Sequence, residues 1–214
     1  MKTILIPALA LMLLHGTEHH THEECPCPMA RQQDAWCDVC DVGYVASVEV
    51  PSRYLFDVLD THGHSLDLST FDCDSCRTAI AAEGFCEEHH VGFVAGKVYF
   101  FRLSYELARG EIVDVSRIEC PVCRKNARTR GWCETCKIGM VGRVAIHDGD
   151  AYRRITQSIH ILHLANEAAK QCEDCAAALV TDTECPVCRI LYRDGKALPR
   201  AQDARASPPR QRNR

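Results

Sequence analysis

An α+β fold of tandem small β-hairpins linked by strands and helices is what this 214-residue sequence predicts, and three observations carry the prediction. Its 15 cysteines fall in groups instead of being scattered. Nine residues separate the inner members of each group. With spacers of about 30 to 36 residues between groups, the chain is an internal repeat of about 50 residues. Each of the first three groups is followed by a Gly- and Val-containing run of strand composition, then by a helical pattern.

In chain order the groups are Cys25, Cys27, Cys37 and Cys40; Cys73, Cys76, Cys86 and His89; Cys120, Cys123, Cys133 and Cys136; and Cys172, Cys175, Cys185 and Cys188. Every cysteine is used once. A tetrahedral zinc ion takes four sulfur or imidazole donors, and a Cys-x-x-Cys turn supplies two from one backbone corner. Two such corners joined by a short hairpin close a site, so the cofactor expected is zinc, up to four ions. His89 stands where a fourth cysteine would be, and His replaces Cys at zinc but not in a disulfide. The first group departs from the pattern, because Cys25-Pro26-Cys27 is one residue short of Cys-x-x-Cys. His22, three positions before Cys25, is the alternative ligand there, while His15, His19 and His20 read as a solvated polar stretch.

The remaining elements follow in order. Met1-Lys2-Thr3, the apolar run Ile4 to Leu14 and Gly16 have the form of a secretory signal over 1–16, too short to span a bilayer. Export to the periplasm or medium is expected if this is a signal, and a cytoplasmic chain if the run is instead a buried N-terminal helix, with no membrane segment in the mature chain. An exported chain favours disulfides, but paired Cys-x-x-Cys disulfides are strained and an odd cysteine total strands one thiol, so spacing decides for metal. Gly43 to Val50, Gly92 to Phe100 and Gly139 to Ile146 read as strands. A helix is expected near Ser52, ended by Gly63; another over 101–109; and a long one from Asp150 as N-cap through Gln171. Trp36 and Trp132, each preceding a cysteine, read as lids over the metal hairpins. Two two-hairpin units, 17–116 and 117–199, and a disordered basic tail, 200–214, complete the organisation.

Cys120-Pro121-Val122-Cys123, nine residues, then Trp132-Cys133-Glu134-Thr135-Cys136-Lys137-Ile138-Gly139, resembles the zinc-ribbon modules with rubredoxin-like knuckles. Cys172-Glu173-Asp174-Cys175 and Cys185-Pro186-Val187-Cys188 read the same way. The resemblance covers the ligand segments, about a third of the chain. It implies a short β-hairpin on each metal and a structural zinc with no open coordination position. The glycine common after such knuckles is absent at Asp41, Arg124 and Arg189.

Closed four-ligand sites point to a structural or interaction module with a protein partner. Soft thiolates and an exported, His-rich start support a metal-storage or transfer protein as the alternative. Nucleic-acid binding has a foothold in Arg124, Lys125, Arg128, Arg130 and Lys137, but a net charge of −4 opposes it. The chain carries no nucleophile elbow, phosphate loop or His-Glu-x-x-His helix, and no catalytic site is expected.

Overall fold

The computed structural model describes residues 27–198, so the expected signal, Cys25 with His22, and the basic tail lie outside the described residues. The fold is α+β, with small antiparallel hairpins as expected. The first unit runs α1 (Cys27–Gln33), β1 (Trp36–Cys37), β2 (Val42–Val45), β3 (Val48–Val50) and α2 (Arg53–Leu59). The second repeats it as α3 (Asp74–Ala81), β4 (Phe85–Cys86), β5 (Val91–Val94), β6 (Lys97–Tyr99) and α4 (Arg102–Ala108). In the third, β7 (Glu111–Ile112) precedes α5 (Pro121–Thr129), β8 (Gly131–Cys133), β9 (Ile138–Val141), β10 (Val144–Ile146) and α6 (Gly149–Ala169). The fourth consists of α7 (Glu173–Thr181), β11 (Leu191–Arg193) and β12 (Lys196–Leu198).

The segment between the inner cysteines is therefore a helix followed by a short strand in the first three units, and a helix followed by the single bridged residue Glu184 in the fourth, not the hairpin expected to join two corners. Cys73, Cys120 and Cys172 are helix N-caps, and Pro121 at the first position of α5 presets the helical φ. The hairpin comes later, formed by the runs expected to be single strands. Each folds back through a two-residue turn, pairing Val45 with Val48, Val94 with Lys97, and Val141 with Val144. Ala46 and Ser47 both have positive φ (51° and 64°), which fits a primed hairpin turn.

A glycine in the middle strand ties each of the first three hairpins to the helix that follows. Gly43, Gly92 and Gly139 pair across the sheet with Trp36, Phe85 and Trp132. Above them lie Phe56, Tyr105 and Tyr152, with ring centroids 5.4, 5.2 and 5.6 Å from those cross-strand aromatics. A Cβ on Gly139 would stand 2.1 Å from Tyr152 Cδ2, so only glycine lets the helix dock this close. The tryptophans thus cover the hairpin glycines and pack on helix aromatics.

Helix ends follow local chemistry. The Ser52 hydroxyl accepts from the Leu55 amide at 3.0 Å, and Asp60 in a left-handed conformation ends α2 before Gly63 is reached. The N-cap of α6 is Asp148 instead of Asp150, because its carboxylate reaches the amides of Asp150 and Ala151 at 2.7 and 3.3 Å. The largest core cluster joins Val45, Val50, Leu55 and Leu59 of the first unit to Leu103 of α4, Ile155 and Leu162 of α6, and Leu179 of α7. The repeats therefore share a core, and smaller clusters lie around Cys76 and Phe93, Cys27 and Tyr44, and Cys123 and Met140.

Candidate metal centres

Each of the last three centres takes its first ligand from a helix N-cap and its second from the first turn of that helix. The third ends a strand in Cys86 and Cys133 and follows the bridged residue Glu184 in Cys185, and the fourth comes from the turn that comes next. The 3.6-residue period puts Cys123 over Cys120, and likewise Cys76 over Cys73 and Cys175 over Cys172. The residue after each fourth ligand turns the chain left-handed: Asp41 (φ 52°), His90 (53°), Lys137 (55°) and Arg189 (57°). These are the places where glycine is strain-free. Arg124 needs no such freedom, because it lies inside α5.

The ligand atoms converge in four clusters: Cys73, Cys76, Cys86 and His89; Cys120, Cys123, Cys133 and Cys136; Cys172, Cys175, Cys185 and Cys188; and Cys27, Cys37 and Cys40, each set within 4.8 Å of one another. Cys25, expected in the last of these, lies outside the described residues. No disulfide joins any of the described cysteines. The separations suit a shared ion. Zinc–sulfur bonds of about 2.3 Å make tetrahedron edges of about 3.8 Å, and a sulfur–nitrogen edge is about 3.6 Å. Here Cys120 and Cys133 are 3.9 Å apart, Cys172 and Cys185 3.9 Å, and Cys172 and Cys188 3.8 Å. His89 Nδ1 lies 3.4 Å from Cys76 Sγ and 3.7 Å from Cys86 Sγ. A disulfide needs about 2.05 Å, so the donor sets fit a metal ion and not a sulfur–sulfur bond.

Proton affinities within the clusters are pushed apart. The amide of Cys123 at the helix start favours the Cys120 thiolate and lowers its pKa to about 7. Burial pushes Cys123 up, and holds Cys76 and Cys175 at about 12. Burial also opposes ionisation of Cys86 and Cys185, but knuckle amides, those of His89 and Cys188 chief among them, outweigh it and lower both. The Cys188 amide lies 3.2 Å from Cys185 Sγ. Several thiolates this close repel one another, so full ionisation calls for a cation in their midst and its binding releases protons.

The sequence pattern did not single out two tyrosines beside the sulfurs. Tyr44, buried in β2, donates its hydroxyl to Cys27, and Tyr192 in β11 donates to Cys175; burial first and then the sulfur hold both phenols protonated. Their common place in the repeat, with Phe93 and Met140 as counterparts, was the available signal. His90 points its backbone into the left-handed turn and stands outside the second cluster. No helix among the described residues is long and apolar enough to cross a membrane.

No family model, curated protein or solved structure matches the chain. Function has to be argued from the centres themselves.

Proposed function

We propose that the four clusters hold zinc as structural cross-links, and that the chain is an interaction module for a protein partner with no catalytic site. The observation that carries this reading is the set of sulfur–sulfur and sulfur–nitrogen separations, which suits tetrahedral zinc at donors already in place. Ligands drawn from a helix start and a knuckle leave no vacant position in a four-donor set, which favours structure over chemistry. The first three centres also lie in small hydrophobic clusters of their own, apart from the shared core that holds the fourth, so metal binding there contributes to folding. Native mass spectrometry with elemental analysis tests the proposal. Four zinc ions per chain are expected, those of the three complete sets lost only together with the fold on strong chelation; a fully folded metal-free chain would refute it.

A second reading is favoured at one place. The first centre offers Cys27, Cys37 and Cys40 among the described residues, with Cys40 exposed. Metal exchange at that centre would make the chain a metal-handling protein, and reversible transfer of that ion to and from a competing chelator, with the fold intact, distinguishes the two.

A further inference from the structure

The hairpin tips reveal a substitution that breaks the repeat. In three units an acidic residue with positive φ follows the cysteine-bearing helix, and its carboxylate holds the hairpin tip twelve residues on. Asp34 accepts from the amides of Ala46 and Ser47. Glu83 Oε1 accepts from the Ala95 amide at 3.0 Å, and Asp182 Oδ1 from the Asp194 amide at 2.7 Å. In the third unit the same position is Arg130 (φ 63°), and the tip residue is Gly142. A donor stands where the other three units have an acceptor. Arg130 Nη1 is buried and has no hydrogen-bond partner among the described residues.

Arg130 lines an open cleft of about 1310 Å³ between the first and third units, where a Cβ added to Gly142 would stand 3.3 Å from Ser47 Oγ. Arg128 and Arg143 also line it; among the described residues none of the three arginines forms a close ion pair, although Arg143, behind the Ser116 hydrogen bonds, helps to lower the pKa of Asp114 across the cleft. The acids of the cleft are engaged: Asp34 holds its own hairpin tip, and Asp114 accepts from the amide and hydroxyl of Ser116 at 2.9 and 2.7 Å. Apolar side chains run beside the cations, with Ile112 70% exposed on the strand β7 and Val144 next to it.

We propose that this cleft binds an acidic peptide segment of a partner protein, one of whose carboxylates takes the place at Arg130 that Asp34, Glu83 and Asp182 fill in the other units. The guanidinium is a planar, permanently charged fork suited to a carboxylate. Cations set beside apolar side chains suit an extended peptide of spaced carboxylates and apolar residues better than a nucleic acid, whose unbroken run of phosphates the chain's net charge of −4 repels more strongly. The proposal rests on the interaction-module reading and names its surface.

The test is fluorescence anisotropy with the full, metal-loaded chain and a labelled eight-residue peptide of alternating Asp and Val. A matched Asn-Val peptide, inorganic phosphate and a short single-stranded RNA are the controls. The Asp-Val peptide is expected to bind, and the Asn-Val peptide at least tenfold more weakly. Arg130→Asp restores the internal carboxylate and should weaken binding at least tenfold with metal content and circular dichroism unchanged. The exposed pair Arg128→Gln/Arg143→Gln should weaken it severalfold without a folding risk. Equal binding of both peptides, undiminished binding by Arg130→Asp, or preference for phosphate or RNA overturns the proposal. Failure to bind by a chain carrying all four metals counts against the cleft alone, whereas a folded chain without metal counts against the four-centre reading.

Discussion

Arg154 of α6 donates its Nε–H to Glu106 of α4, whose side chain is fully buried where the two helices meet. Arg102 and Arg109 lie 3.8 and 3.7 Å from the same carboxylate, and Arg102 also reaches Glu87 beside the second metal knuckle. One buried acid thus gathers three cations from two repeats. Removing it leaves a void and three partly exposed guanidinium groups without their acid, and because water reaches these groups the loss falls below the figure of about 3 to 5 kcal/mol for a fully buried pair. Glu106→Ala is therefore expected to lower the urea midpoint, and Glu106→Met/Arg154→Met to recover part of the loss.

The glycine contact predicts a second effect. A methyl group at Gly139 meets Tyr152, and at Gly92 it meets Tyr105 Cδ2 at 2.2 Å. Overpacking of this kind costs about 1 to 3 kcal/mol, and more where the neighbour is a rigid ring. Gly139→Ala should destabilise the chain, and pairing it with Tyr152→Ala should be less than additive in a double-mutant cycle read by thermal unfolding.

These two contacts mark what was legible in the sequence. Three of the tetrads, and Cys27, Cys37 and Cys40 of the first, were plain from repeated spacing, and α2 and α6 from apolar periodicity. The helices between inner cysteines were not, because α3, α5 and α7 span only 8 or 9 residues. Over so short a length the buried stripe reduces to pairs such as Cys76 with Ala79 and Cys123 with Ala127, too few to show a period. The aromatic–glycine–aromatic register was present as equal offsets, Trp36-Gly43-Phe56 and Phe85-Gly92-Tyr105, but Phe85 in place of Trp obscured it. Glu106 carried no local signal, since its partner lies 48 residues away.

At the second centre the structure separates two adjacent histidines. His89 turns Nδ1 to the sulfurs, while His90 occupies the left-handed turn. His89→Ala should therefore lose one metal ion in native mass spectrometry, His89→Cys should keep it, and His90→Gly should keep it with a small gain in stability from relief at positive φ. Loss of metal from His90→Gly but not from His89→Ala would exchange their roles.

Asp34 predicts a pH dependence. Burial raises its pKa from 3.8 to about 6 against the pull of two backbone amides. The folded chain thus binds a proton at this site that the unfolded chain releases between pH 3.8 and about 6. Ionised Asp34 therefore lowers stability, progressively as pH rises through that window and fully above it. Two pKa steps correspond to about 3 kcal/mol at most, and solvent access reduces this to about 1 to 2 kcal/mol. Asp34→Asn keeps an acceptor for the tip amides. Its gain in unfolding free energy should be constant above about pH 7 and shrink as pH falls below about 6.

The first centre should release metal before the others. In the last three units the first ligand lies three residues before the second and caps a helix, as Cys73, Cys120 and Cys172 do. Three residues before Cys27 the sequence has Glu24, with Cys25 one position later. A carboxylate is a harder donor than a thiolate and holds zinc or Cu(I) less tightly, and a cysteine at the wrong phase needs a different turn to reach the same ion. Either arrangement weakens the centre relative to three complete sets. Titration with a coloured chelator is expected to remove one ion at low concentration, and the remaining three only as the far-ultraviolet circular dichroism is lost. Placing the ligand in phase by Glu24→Cys with Cys25→Ser should merge the two steps. If the first ion released instead came from the Cys120 set, as isotope exchange in Cys123→Ser would reveal, phase at the helix start would not be what grades these centres.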